Sequence, residues 1–474
     1  MVVGLAVAAV WQAGRLAAWA RGEADLWGEP RYRPPHAPSP AALAGIDLAR
    51  VHAELLPAWV IAASRAAEPG GRAAADGALA AVRAAVAADP NLDALAAELG
   101  ALVAADPVRN ADRILYLSWA WNEYLEQQSL PWRLDGAVRL NGGGGGFFYA
   151  KTYHVLADLR AGVGGASVRA RLLERADHTN VVELYLGRSS ADAAVIVDRV
   201  RELALDRVWP LLAEEAVAVA RAGAADRAFA PFVRAEVAAA LPAVTYAVLR
   251  DTASDRGALS AAVDAIEARA ACGSDLVVVL PSWKGLPAPD FDRLRRLAAA
   301  SAGRRCPAVT SDEAESLIAA STRLSARTDL DPALGALVAF LARAVTVHEV
   351  RHAADALAAG PDVPPACPGC PPGVGDPEVR NELSAYLASF AALATGYSAL
   401  FQACALAREE PDSAHGVAVT VALSVVAPSA DCSAPPADLA PLAGAAERAL
   451  FGRSASITLP ADFPATLPLE AFSL

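Results

Sequence analysis

The stretch from Asp331-Pro332 to Gly360-Pro361 constrains this chain more than any other. Aspartate is a good N-cap, proline is favoured at the first helical position, and Gly-Pro stops a helix. The apolar period between these signals therefore predicts one long helix. On it lies His348-Glu349-Val350-Arg351-His352, an H-E-x-x-H pattern. At a spacing of four, two imidazoles rise from one helix face about a turn apart and can converge on one ion. Glu349 is displaced about 100° round the axis, where its carboxylate can reach water at that ion. The chain has 7 histidines and 53 acidic residues among 474. Random placement would then yield the pattern on the order of 0.01 times, so chance does not explain it.

Two histidines do not complete a zinc site, and a third ligand is expected on another element. A metzincin-type ligand would fall six residues after the second histidine, at Ala358, which excludes that arrangement. Asp376-Pro377 announces a further helix whose second turn carries Glu382. The intervening Gly/Pro/Cys-rich loop is long enough to fold this helix back beside the first. Together these residues resemble the gluzincin class of zinc metallopeptidases, the thermolysin-like group. There an H-E-x-x-H helix supplies two ligands and the general base, and a glutamate of a following helix, commonly within N-E-x-x, supplies the third. The matching positions are His348, Glu349, His352 and the Asn381-Glu382 pair, and the resemblance is confined to residues 331 to about 400.

The resemblance implies Zn2+ as cofactor and a protein or peptide as substrate. The ion would polarise the scissile carbonyl and acidify water, while Glu349 takes the proton and passes it to the leaving amine. This chain departs from the thermolysin-like pattern at Tyr386, where an aspartate would orient a ligand histidine. Asp355, three residues after His352, can take that role, as can a backbone carbonyl. The plain alternative for Asp355 is a solvated helix face. A donor is also needed for the developing oxyanion. Tyr386, Tyr397 and His415 lie downstream; His415, in the polar stretch 411–415, is preferred, and Tyr397 reads as a core side chain. The run 276–280 reads either as an edge strand for substrate addition or as a buried central strand.

Composition sets the fold class. The chain is 55% hydrophobic but only 6% aromatic, so alanine carries much of the apolar content and closely approaching helices should dominate. The runs 132–140, 147–159, 167–174, 181–186 and 194–197 are short, β-rich and set off by turn signals. The expected class is α+β, mostly helical: an antiparallel β meander inserted between helical layers, with a C-terminal helical zincin-like domain. The parts are 1–27, a Pro-rich linker at 28–40, a helical region at 41–130, a β-rich region at 131–200, the metallopeptidase-like helices at 201–410 and an extension at 411–474. Asn141 and the five glycines after it lack the Gly-Lys-Ser/Thr of a phosphate cradle and read as a hairpin loop. The uncharged stretch 383–407 reads as one buried helix.

A net charge of 41 − 53 = −12 without a basic stripe argues against a nucleic-acid binder. Six cysteines permit three disulfides without requiring them. Cys367-Pro-Gly-Cys370 lacks the second pair of a zinc knuckle and the strand-to-helix setting of a redox site. It reads as a local disulfide or two free thiols. Residues 1–14 carry no charged side chain and have the apolar length of a signal peptide, while Arg15 and Arg21 interrupt a full span. One reading is an export signal or anchor, giving a periplasmic or membrane-anchored envelope protein with membrane association through the N-terminus. The other is an ordinary first helix in a cytoplasmic protein. Two further classes compete with the enzyme reading. One is a non-catalytic envelope scaffold keeping a metallopeptidase-like domain. The other is a di-iron bundle, for which no second E-x-x-H occurs and Asp412-x-x-His415 is only a loose analogue. His154 and His178 read as core or surface side chains.

Overall fold

A computed structural model of the protein describes residues 32–140, 146–177, 192–213, 224–272, 276, 280, 282–359, 363–371, 374–427, 430–453 and 456–469. The segment 1–27, the Asn141 glycine loop, His178, the run 181–186 and most of 276–280 lie outside these residues. The chain is α+β and mostly helical, with one small sheet. It forms two units. Among the described residues, 32–140, 146–156 and 173–177 make the first, and 157–172 and 192–469 make the second.

The first unit is built on α1 (Leu56–Ser64), α2 (Gly71–Val86), α3 (Pro90–Ala105) and α4 (Ala111–Gln127), with a π-helical turn at Val51–Leu55 before them. The Asp89-Pro90 signal does what its residue types dictate. Asp89 Oδ1 accepts from the Asn91 and Leu92 amides at 2.9 Å each, and Pro90 opens the helix. The helices bury Val51, Trp59, Leu92, Leu99, Ile114, Trp121 and Leu125 in one core. Strand β1 (Trp132–Leu140) lies against α4. At Gly136 a Cβ would stand 2.3 Å from Ser118 Oγ, so only glycine permits this approach. The Asn122 amide then clasps the strand, donating to Leu134 O at 2.7 Å and accepting from Leu134 N at 2.6 Å. β1 pairs antiparallel with the start of β2 (Gly146–Val163), from Trp132 opposite His154 to Leu140 opposite Gly146.

Strand β2 continues past residue 156 into the second unit. A tight turn at Gly164 and Gly165 leads to β3 (Ala166–Arg175), followed by β4 (Ala193–Ile196). The sheet order β1-β2-β3-β4 follows the chain, as in a meander, and β5 (Ile457–Thr458) pairs antiparallel with β2. The helices of this unit are α5 (Ala224–Ala240), α6 (Ala243–Glu267), α7 (Ala288–Ser301), α8 (Ser311–Ser325), α9 (Leu330–Ala359), α10 (Pro377–Phe390), α11 (Gly396–Glu409), α12 (Ala414–Val426) and α13 (Leu439–Phe451). The long helix read from the sequence is α9, the hub of the unit. Residues 336–342 are buried in unbroken succession, the mark of a helix covered on every side. It packs against α6, α10, α11 and β4. By length and composition it could cross a membrane, but most of its apolar stretch is enclosed, as in a core helix. It begins at Leu330, one residue before the expected cap, and Asp331 instead pairs with Lys284 Nζ at 2.9 Å.

The uncharged stretch 383–407 is not one helix. It is divided between α10, which stops at Phe390, and α11, which starts at Gly396. The division has a tertiary cause: the Glu236 carboxylate on α5 accepts from Tyr397 N at 2.8 Å, Ser398 N at 2.9 Å and Ser398 Oγ at 2.8 Å. A negative charge from another helix thus satisfies the exposed amides of a new helix start. The six cysteines form three disulfides, Cys272–Cys306, Cys367–Cys370 and Cys404–Cys432.

Candidate metal centre

Helix α9 carries His348 and His352 one turn apart, facing α10. Helix α10 starts as its sequence requires: Asp376 Oδ1 accepts from Glu378 N at 2.8 Å and Pro377 takes the first position. That start puts Glu382 in the second turn, where it is buried. Its Oε2 lies 3.2 Å from His348 Nε2 and 3.4 Å from His352 Nε2. The two Nε2 atoms are 3.0 Å apart.

These three atoms fit a cation. An ion held about 2.0–2.1 Å from each donor at tetrahedral angles separates the donors by about 3.3 Å, close to all three edges observed. Two ring nitrogens at 3.0 Å cannot both carry a proton toward the other. Lone pairs turned toward a shared cation remove that conflict. His348, His352 and Glu382 can therefore hold a metal ion.

Helix α12 brings His415 to the same carboxylate. Ser413 caps this helix by accepting from Gly416 N at 3.1 Å, which sets His415 in the first turn. Its Nδ1 is 3.0 Å from Glu382 Oε2 and 3.0 Å from the Tyr386 hydroxyl. Tyr386, one turn beyond Glu382, also lays its ring 4.8 Å from that of His348. Burial alone would raise the Glu382 carboxyl, but the three imidazoles beside it hold it well below the usual carboxylate range. Burial would likewise depress His415, yet the Glu382 carboxylate, with Glu349 and Glu410 near, holds it above its ordinary value. Glu349 is half-buried on α9, the residue after His348, and its charge helps to raise His415.

Five of the seven site residues read from the sequence thus meet here, His348, His352, Glu382, Tyr386 and His415, and Glu349 lies on the same helix between the two histidines. Asp355 is the correction. It is neither on a solvated face nor hydrogen-bonded to His352: it is 4% exposed, with Oδ2 accepting from Ser384 and Oδ1 beside Arg351 and Arg453. Tyr397 is elsewhere, donating to Pro436 O at 2.8 Å. His154 packs against Trp132 in the first unit. Sequence reasoning missed Arg351, Ser384 and Glu447, which adjoin the centre. A signal existed in the Arg351/Asp355 pair, opposite charges four apart on a largely apolar helix.

No known protein family, curated protein or solved structure matches the chain. The gluzincin resemblance accordingly rests on the residues named above.

Proposed function

We propose that this protein is a zinc-dependent peptide-bond hydrolase. The observation that carries the reading is the triangle of His348 Nε2, His352 Nε2 and Glu382 Oε2, with edges of 3.0, 3.2 and 3.4 Å, on an H-E-x-x-H helix. Two imidazoles and a carboxylate are a donor set that suits zinc. The His348 and His352 side chains keep 14% and 24% of their surface exposed. Closed structural sites surround the ion with four protein ligands, whereas catalytic sites keep one position open, and this exposure supports the second kind.

Zinc held there would polarise a peptide carbonyl and acidify water. Glu349 takes the proton of the attacking water and delivers it to the amine nitrogen as the C–N bond breaks. His415 and Tyr386, bonded to each other at 3.0 Å, steady Glu382 and offer N–H and O–H donors to the developing oxyanion. Three disulfides in the described chain support an oxidising compartment, and hence a periplasmic or envelope protein meeting protein or peptide substrates there.

The experiment is metal analysis together with cleavage of a mixed peptide library. Wild type should hold about one zinc and cleave, while Glu349→Gln should keep the zinc and lose cleavage. Zinc-loaded wild type that cleaves nothing would defeat the enzyme reading.

A further inference from the structure

Next to the metal centre lies a second buried cluster, this one made of charges. Arg351, in the H-E-x-x-H segment itself, has a side chain only 1% exposed. Its Nε donates to Ser384 Oγ at 2.9 Å and lies 3.2 Å from Asp355 Oδ1. Its terminal nitrogen is 2.7 Å from Glu447 Oε1, whose side chain is 2% exposed. Ser384 passes the chain on, donating to Asp355 Oδ2 at 2.7 Å, and Arg453 closes on Asp355 Oδ1. One guanidinium thus hydrogen-bonds α9 to α10 through Ser384, and reaches α13 through a close ion contact with Glu447 that lacks hydrogen-bond geometry.

A network of this kind is a poor source of net stability. Desolvating its charges offsets most of their attraction, and apolar replacements of similar size are often as stable. What it does supply is geometry, because a planar guanidinium satisfies its partners only over a narrow range of distance and angle. Here the constrained elements are those that carry the ligands. Arg351 directly precedes His352, and Ser384 is two residues from Glu382. On α10 these two positions are about 200° apart round the axis. Glu382 reaches the histidines of α9 while Ser384 reaches Arg351 and Asp355 of the same helix. One such contact sets a separation; two on different sides of α10 also set its rotation. Helix α13 holds the α9–α10 loop as well, with Gly369 N donating to Leu450 O at 3.0 Å.

We propose that Arg351, with Ser384, Asp355 and Glu447, is a positioning network that presets the His348–His352–Glu382 spacing before a metal arrives. This rests on the metal-centre reading. The test compares wild type with Arg351→Met, Arg351→Lys, Glu447→Gln and Ser384→Ala. Zinc affinity is measured by competition with a chromophoric chelator, ligand geometry by the visible absorption of the Co2+ form, and fold by apo thermal unfolding. Variants that fold should bind zinc at least about tenfold more weakly, at the lower end of effects seen for groups behind metal ligands. Their Co2+ bands should shift, with Arg351→Lys, which keeps the charge and loses the fork, in between. A merely structural role would lower the melting temperature and leave the Co2+ spectrum alone. Should Arg351→Met fail to fold, Ser384→Ala, the loss of one hydroxyl, decides the matter by the same readouts. Zinc binding by wild type with affinity and Co2+ spectrum unchanged in the variants overturns this proposal alone; no zinc binding by wild type overturns the metal centre with it.

Discussion

His52 in the first unit is wholly enclosed: its Nδ1 is 2.8 Å from Leu48 O, its Nε2 accepts the Trp121 indole N–H at 3.2 Å, and its ring stacks 5.1 Å from Trp132. In the second unit His348, His352 and His415 each turn a nitrogen toward the same oxygen of Glu382 and keep part of their surface open. The difference separates two uses of one side chain. A histidine with one donor and one acceptor partner has no bonding capacity left, and burial depresses it to about 4, so it stays neutral and structural. Two rings with their Nε2 atoms 3.0 Å apart beside one carboxylate oxygen cannot both point a proton at each other, and with Glu382 they could hold a metal ion.

The sharpest way to break this contrast is to exchange roles by mutation. His352→Ala should reduce zinc affinity by more than the roughly 10–100-fold associated with groups behind the ligands, read as metal retained after dialysis. Retention equal to wild type would erase the distinction. Glu349→Gln should leave metal content unchanged and lower peptide cleavage by about 10²–10⁴-fold, since it removes only the proton acceptor. His52→Ala should do the reverse. It leaves the Trp121 N–H without its acceptor and opens a cavity, lowering unfolding stability by about 3 kcal/mol with zinc stoichiometry intact.

A pH series sharpens the first half of the contrast. His52 has a folded value of about 4 against roughly 6.5 unfolded. The unfolded chain therefore binds more protons between these values, so the contribution of His52 is complete above pH 6.5 and is lost as pH falls toward 4. Denaturant unfolding of wild type and His52→Asn should differ most near neutrality, and the gap should narrow by at most about 3 kcal/mol on acidification. A pH-independent gap would mean that the buried ring is not held neutral. The smallest effect tests the second half: Asp376→Ala removes the cap of the helix bearing Glu382 and should cost about 1 kcal/mol in thermal unfolding.

What was legible in the sequence was local. The H-E-x-x-H spacing, the Asp-Pro starts of α3 and α10 and the strand runs at 132–140 and 167–174, the latter observed as Ala166–Arg175, depend on neighbours within a few residues. Glu382 was within reach because the Asp376-Pro377 signal phases its helix. Features made by tertiary packing were not legible. The break between α10 and α11 is enforced by Glu236, more than 150 residues away, and Asp355 is drawn inward by Ser384 and Arg453. His415 was placed at the centre for its residue type and polar setting, while its actual partners, Glu382 and Tyr386, are set by the packing of α12 on α10.

The central claim is that two rings of α9 and one carboxylate of α10 form a metal site, and X-ray absorption at the zinc edge of the loaded protein tests it most directly. The expected result is about one zinc per chain, with nitrogen and oxygen neighbours near 2.0–2.2 Å and imidazole scattering that diminishes in His352→Ala. Sulfur neighbours near 2.3 Å, or protein that takes up no zinc, would contradict it.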